Sequence, residues 1–331
     1  MIDLVCRFSI QCAALLARRL PIVMYHRVLT KRDPIFPSVP TIDEFAREVK
    51  WLNNSFTIIP LESAIDQLFA GTLPARALCI TFDDGYRDNL YNAVPVLLEH
   101  DVCATFFVTT GYMEDGMMWN DRIIESVRAY NERHSELDLG EHGLPRYALG
   151  AQCGDTIGTI LADLKYRPFD EREDISKEIY RKFCGDKIDR PMLDAGEIAR
   201  LHKSGMEIGG HTHCHPILSR LSDKQASIEI STNKTILEDI VGKPIRSFAY
   251  PNGRPNLDYE SSHTKILSEI GFDFAVSTSA GAASQFCDPF QIPRFSPWDK
   301  SQMKYNLRMV RNYFSDPELA ATSQNHSGRN E

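Results

Sequence analysis

The chain has 331 residues, 43% of them hydrophobic and 25% charged, with a formal net charge of -8. That is the composition of an ordinary globule, long enough for one large α/β domain or two smaller ones. The acidic balance argues against a nucleic-acid backbone as partner, and no apolar run is long enough to span a bilayer.

Eight cysteines (Cys6, Cys12, Cys79, Cys103, Cys153, Cys184, Cys214, Cys287) are scattered without a CxxC pair. A disulfide framework would call for shorter spacings and a smaller chain. The first 20 residues are apolar but interrupted by Asp3 and Arg7, with no basic start before a clean apolar stretch. They read as a short amphipathic helix rather than a signal peptide. Such a helix either docks on a membrane surface or packs against the body of the protein. These features predict a cytoplasmic protein, peripheral at the inner membrane face if residues 1–19 dock.

Taken in order, Pro21 to Val28 reads as a strand followed by a proline-rich loop. Thr41 is a helix N-cap with Glu44 completing a capping box, and Phe45, Val49 and Leu52 recur at helical spacing. A short strand at 57–60 and a helix over 61–68 lead to Ala77-Leu-Cys-Ile-Thr-Phe-Asp-Asp-Gly85. This continuous apolar run ending in a turn signal predicts a buried strand. A helix over 91–100 with Pro95 near its first turn precedes an apolar strand at 104–108. From about 114 to 198 the alternation breaks into a polar, mostly helical insertion. Strands resume at 206–209, 246–250, 274–277 and 291–294, with helices over 222–241 and 263–271. Alternating strands and helices predict a parallel sheet covered on both faces or a closed barrel. The catalytic unit is expected over 21–315, and the polar tail 316–331 to be disordered.

Two adjacent carboxylates at a buried strand end are costly unless a cation or a shared proton offsets them. Downstream, Gly209-Gly-His-Thr-His-Cys-His-Pro216 follows a predicted strand. His211 and His215 are four apart, which places both imidazoles on one side of a turn. Two histidines and one carboxylate form a common catalytic metal set with positions left open for water. At that spacing His213 points elsewhere, and Cys214 is expected to pack rather than ligate. Tyr250 and the backbone near Asn252, in Tyr250-Pro-Asn-Gly253, end a third strand facing the same mouth.

Thr81-Phe-Asp-Asp-Gly85, His211-Thr-x-x-His215-Pro and the strand ending in Tyr-Pro-Asn-Gly together resemble the polysaccharide deacetylases of carbohydrate esterase family 4. The resemblance covers roughly 21–294 and matches least in the insertion. It implies a distorted (β/α) barrel of about seven strands, a divalent metal, usually Zn2+, and removal of N-acetyl groups from the amino sugars of a poly- or oligosaccharide. Carried over by position, Asp83 would be the general base and Asp84, His211 and His215 the metal ligands. The backbone N–H of Tyr250 would be a candidate oxyanion donor.

The chain departs from the commonest family pattern in two places. Ala249 stands where many members carry the arginine that orients the catalytic aspartate, and there is no late Leu-x-His to supply a general acid. Tyr25-His26, at the end of the first strand, resembles the early acid motif of exopolysaccharide-type deacetylases, which makes His26 the candidate acid. Arg294 is the candidate to orient Asp83 or to bind substrate. Trp119 and Trp298 are candidate platforms for a sugar ring. Two other readings keep weight: a deformylase or small-amide hydrolase on the same barrel, and an inactive glycan-binding protein.

Overall fold

The structure is a computed structural model. It describes residues 2–321 except 115, 133, 152, 186–189 and 297, with the backbone alone for 2–6. The expected tail over 322–331 therefore lies outside the described residues.

The strands in chain order are β1 (Ile22–Tyr25), β2 (Thr57–Ile58), β3 (Ala77–Phe82) and β4 (Thr105–Val108), then the hairpin β5 (Glu136–Asp138) and β6 (Arg146–Ala148), then β7 (Glu207–Gly210), β8 (Ser247–Ala249) and β9 (Phe274–Val276). The main sheet is parallel, in the order β1-β3-β4-β7-β8-β9, with β2 beside the start of β3 as its seventh strand. Every residue of β3 is buried, as befits a strand of a parallel sheet covered on both faces. The expected distorted (β/α) barrel of about seven strands is borne out.

The expected strand at 291–294 takes a different form. Ile292 bridges Val276 of β9 and Phe295 bridges Val23 of β1, both in parallel. Pro293 between them has no N–H to give a ladder. The two edges of the sheet are thus joined by single bridges, with Phe295 N–H donating to Ile22 O at 3.1 Å and Met24 N–H to Phe295 O at 3.0 Å. This seam curls the sheet toward closure and carries Arg294 between its edges.

The helices are α1 (Ile2–Ala17), α2 (Ile42–Ser55), α3 (Leu61–Phe69), α4 (Val94–Glu99), α5 (Trp119–Asn131), α6 (Cys153–Lys165), α7 (Phe169–Cys184), α8 (Ala195–Lys203), α9 (Asp223–Val241), α10 (Ser261–Ile270) and α11 (Gln302–Tyr313). Thr41 caps α2, with Glu44 reaching back in a full capping box, and Pro95 sits in the first turn of α4. Helices α5, α6 and α7 and the β5–β6 hairpin enclose a hydrophobic cluster of their own. The boundary expected at 198 falls inside α8, whose Ile198 and Leu201 pack in the main core. At the other end of the chain, Ile10, Ala13 and Ala14 of α1 also belong to that core. Residues 316–321 are held rather than disordered: Ala320 N–H donates to Gln291 Oε1 and Ala321 N–H to Asn256 Oδ1. Cys12, Cys79, Cys103, Cys153, Cys214 and Cys287 are free thiols.

The Gly209-Gly210 pair is explained by space. A Cβ at Gly209 would drive into the Phe107 ring and stand 2.8 Å from Ser247 Oγ, and one at Gly210 would stand 2.8 Å from Asn233 Oδ1. Both neighbours are side chains of the packed interior, which gives way only at a cost. Gly209→Ala is expected to destabilise the protein by about 1–3 kcal/mol in urea unfolding.

Candidate active site

Parallel strands deliver their C-terminal ends to one mouth, and the chemistry-bearing residues collect there. Asp83 and Asp84 follow β3, His211 follows β7, His26 follows β1 and Asn252 follows β8. Asp84 turns out of the strand direction through a left-handed backbone, φ 76°, and Gly85 continues it at φ 85°. A Cβ on Gly85 would lie 2.7 Å from Val108 Cγ1, so only glycine fits against β4. That turn aims Asp84 Oδ1 between two imidazoles: His211 Nε2 and His215 Nε2 each stand 3.3 Å from it. The three ligand atoms lie within 4.8 Å of one another.

The histidines are held from behind. His211 Nδ1 lies 2.7 Å from Ala249 O. A carbonyl only accepts, so Nδ1 carries the hydrogen and Nε2 presents its lone pair in the neutral ring. The His211 N–H donates to Asn233 Oδ1, whose amide nitrogen donates in turn to Val108 O at 2.9 Å. His215 is placed by a left-handed residue, φ 52°, and its N–H donates to Thr212 Oγ1. These are the features of a divalent-ion site: converging lone pairs, a fixed tautomer and an anionic oxygen.

Asp83 is clamped rather than open. Arg294 Nη1 and Nη2 bond its two carboxylate oxygens at 2.7 Å each. The guanidinium is fully buried and is steadied by donating to Thr81 Oγ1 at 3.1 Å and Ser277 O at 3.2 Å. Burial pushes the Asp83 carboxyl up. The Arg294 charge, then His211 and the Arg294 hydrogen bonds, outweigh it and hold the group below its ordinary range. For Asp84, burial is outweighed by hydrogen bonds from His211 and His215, and the carboxyl is held well below its usual value. His211 is raised, because its bond to Asp84 and the charge of both carboxylates overcome burial. His215 is lowered, since burial prevails there.

On the other flank, Asp83 N–H donates to Tyr25 O at 3.0 Å. His26, the next residue, is exposed at the rim and adds a weaker attraction to both aspartates. Arg27 bonds Asp88 at 2.8 Å and lies over the Tyr86 ring, 4.5 Å from its centroid. The Tyr86 hydroxyl donates to Asp121 of α5, at 3.2 Å from Oδ1. Burial pushes Asp121 up to about 7 against the pull of Arg27. This network ties the start of the helical insertion to the Asp84-Gly85-Tyr86 turn.

The family model for polysaccharide deacetylases matches residues 70–275, more than half of the chain. The chain belongs to the polysaccharide deacetylase family. Its members are hydrolases of N-acetyl amide bonds, and the chain is an enzyme of that class. It is 23% identical over 270 residues to YxkH of Bacillus subtilis (strain 168), named as a polysaccharide deacetylase, covering 81% of this chain and 67% of that protein. Its fold is similar to the Streptococcus pyogenes deacetylase PplD, solved in complex with acetate, with a TM-score of 0.60 at 18% identity, over 88% of this chain and 98% of that one. IcaB from Ammonifex degensii is similar with a TM-score of 0.59 at 18% identity, over 90% and 97% of the two chains.

Other sequence expectations for this deacetylase need correcting. Tyr250 does not face the mouth: its ring stacks on Tyr259 at 3.8 Å between centroids and its hydroxyl donates to Phe290 O. Its N–H is taken up by Val276 O at 3.2 Å, within the sheet, which removes it as an oxyanion donor. Trp119 is buried at the start of α5 under the Arg172 guanidinium, where it fills the core of the insertion rather than a sugar platform. Asn252 does stand in the turn after β8, in a left-handed conformation with φ 58°. As expected, His213 turns away to Thr110 Oγ1 at 2.9 Å. Cys214 packs against Gly111, its thiol pushed up to about 12 mainly by burial.

Sequence reasoning missed the network through Asn233, Tyr86 and Asp121. Asp121 stands two residues after Trp119 in a stretch read only for its aromatic, and nothing local marks a carboxylate that meets its partners through tertiary contact.

The buried Asp83–Arg294 pair has a pH signature. The folded Asp83 pKa is lowered, so the pair stabilises the protein above the unfolded aspartate value near ~3.9. That contribution is lost as pH falls through the lower folded value. Arg294→Met leaves a buried carboxylate unpaired, and urea unfolding at pH 7 is expected to show a loss of about 3–5 kcal/mol. The difference from wild type should shrink below pH ~4.

Proposed function

We propose that this deacetylase removes N-acetyl groups from the amino sugars of a poly- or oligosaccharide with a divalent ion, most simply Zn2+, held by Asp84, His211 and His215. The reading rests on one juxtaposition: three converging ligand atoms directly beside an aspartate aimed by a buried arginine. Two imidazoles, one carboxylate and room for water suit zinc better than a hard cation that wants oxygen alone.

When bound, such an ion polarises the acetamide carbonyl and acidifies a water. The residues of the chain do the rest. Asp83, ionised at neutral pH, takes the proton of the attacking water, with Arg294 fixing its plane. His26, at the rim beside Asp83, gives a proton to the departing amine. Asn252, in the turn after β8, is the polar group retained for contact with substrate. Arg294 supplies what the Ala249 position lacks, reaching the catalytic carboxylate from another segment.

Acetate release from chitooligosaccharides, with metal content measured in parallel, tests this assignment. Asp83→Asn is expected to cut kcat by about 10²–10⁴ with metal retained, and Asp84→Ala to lose both. His26→Ala should lower kcat by about 10²–10⁴ and remove the alkaline limb of the pH–rate profile. Full activity in Asp83→Asn would end the mechanism. An unchanged profile in His26→Ala would end the acid assignment.

We further infer a surface for anionic phospholipid. No described helix is long and apolar enough to cross a membrane. Outside its core-facing side, however, α1 exposes Phe8 and Leu16 to 70% and 79%, and α11, packed beside it, exposes Met303 and Leu307 to 63% and 68%. Helix α11 contains Lys304, Arg308 and Arg311 and no acidic residue, and Arg7 on α1 and Arg18 just after it are exposed. Apolar residues flanked by cations suit an anionic bilayer, whereas like charges oppose a second copy of the same face. Co-sedimentation with phosphatidylglycerol vesicles should fall several-fold for the Leu16→Glu, Leu307→Glu double variant. Equal partitioning of the double variant and wild type, or wild type left in the supernatant, overturns this surface.

A further inference from the structure

The described cavities include one that opens beside His26 and is not part of the metal-ligand cluster. It measures about 300 Å³, and its walls come from Tyr25, His26, Val39, Glu48, Ser296 and Trp298. Three features of its lining are unusual together.

The first is Trp298. Its side chain is 63% exposed, yet it is held in place: the Arg308 guanidinium lies 3.5 Å from the ring centroid. Asp299 grips Arg308 in turn through both carboxylate oxygens. A large indole left in solvent forgoes burial worth having, and a cation fixed against it holds its orientation before anything binds.

The second is Glu48, projected from α2. Tyr25 donates its hydroxyl to Glu48 Oε2 at 2.9 Å, and Tyr305 Oη stands 3.2 Å from the Tyr25 hydroxyl. Among the described residues no cation pairs with Glu48 within ion-pair distance, although nine other glutamates pair with a lysine or arginine. Burial pushes its carboxyl up to about 7. A group raised in this way opposes folding as pH climbs from the unfolded value toward 7, because the native state must then give up a proton it holds more tightly. Glutamine would avoid that cost, so packing alone does not account for the carboxylate.

The third is position. In the parallel register Tyr25 stands opposite Phe82, so His26 follows at the level of Asp83. The cavity wall is therefore one residue across from the candidate base.

We propose that this cavity is a subsite for the sugar ring adjoining the one whose acetamide is hydrolysed, with Trp298 stacking on the apolar face of the pyranose and Glu48 accepting from its hydroxyl or amine donors. An aromatic plate and an acceptor carboxylate on the walls of a pocket with room for about one ring are the chemistry of carbohydrate recognition. The inference rests on the deacetylase reading for its substrate class, and it assigns the enzyme a preference for chains over single sugars.

The test uses the full chain carrying Asp83→Asn, which blocks turnover, and N-acetylglucosamine oligomers of one to four rings as probes. Trp298 is the one strongly exposed indole: Trp119 is 7% exposed and Trp51 packs edge-on against Tyr305. Tetramer binding should therefore shift tryptophan fluorescence in the parent and leave it unchanged in Trp298→Ala. Affinity should rise from one ring to two or more in the parent. Trp298→Ala and Glu48→Gln should each weaken the tetramer about ten-fold relative to the single ring. Glu48→Gln should also raise the Tm above pH 7, which separates lost recognition from lost folding. In the active enzyme, the ratio of kcat/KM for tetramer to that for single ring should fall by the same factor. Tetramer affinity and fluorescence unaltered by both substitutions, or equal affinity for all lengths, overturns the subsite. Binding as described without acetate release from the active enzyme overturns the deacetylase reading and leaves the glycan site standing.

Discussion

A fully buried guanidinium bonded through two nitrogens to a buried carboxylate is the contact on which the rest of this molecule depends. Arg294 comes from the seam that joins β9 to β1, and Asp83 from the end of β3, the strand next to β1. Neither charge is tolerable alone in that interior. The seam itself has two isolated bridges with a proline between them, backed by bonds such as Arg294 N–H to Ser279 O and Ser296 Oγ to Met24 O. The ion pair and the closing of the barrel therefore support each other. The guanidinium donates to Ser277 O just after β9 on one side and to Thr81 Oγ1 of β3 on the other, so it links the β9 edge to the strand beside β1.

Charge accounting at the mouth follows from the same pair. Asp83 and Asp84 bring two negative charges into a buried site, and Arg294 neutralises one. His211 Nδ1 donates to the Ala249 carbonyl, which turns Nε2 toward Asp84, and burial lowers His215. What remains is one carboxylate facing two lone pairs, an arrangement that favours a cation over a shared proton. Because Arg294 occupies both oxygens of Asp83, the two neighbouring aspartates are not interchangeable: one is committed to the guanidinium, the other to the imidazoles.

Much of this was legible in the residues. The apolar run into Asp83-Asp84-Gly85 could only be a buried strand, and the histidine spacing placed two rings on one side. The capping box at Thr41 and Glu44 is likewise a local code with a local reading. The failures share a different cause. Tyr250 follows a strand, where its direction is set by which neighbour its ring meets, and Tyr259 won that contact. Trp119 was judged by its type and its place at the start of the insertion, but the insertion has a core of its own that needed filling. The tail to Ala321 is polar in composition yet is fixed by Gln291 and Asn256, two amides far away in sequence. Glu48 and Asp121 gave no signal at all, because a lone acidic residue on a helix looks the same whether solvent or a tyrosine hydroxyl receives it.

The arginine shows how far a motif can move while its physics stays put. A carboxylate that must stay ionised in a dry site needs a planar, permanently charged partner with two parallel donors. Nothing in that requirement specifies the strand the partner comes from. In this chain the position after β8's core is Ala249, buried and without a polar side chain, and its carbonyl serves instead to fix the tautomer of His211. Arg294 meets the requirement from the seam instead, held by Ser277 O and Thr81 Oγ1 and paired with both oxygens of Asp83. The apparent gap in the sequence pattern is thus a redistribution of one electrostatic task across the barrel's closure.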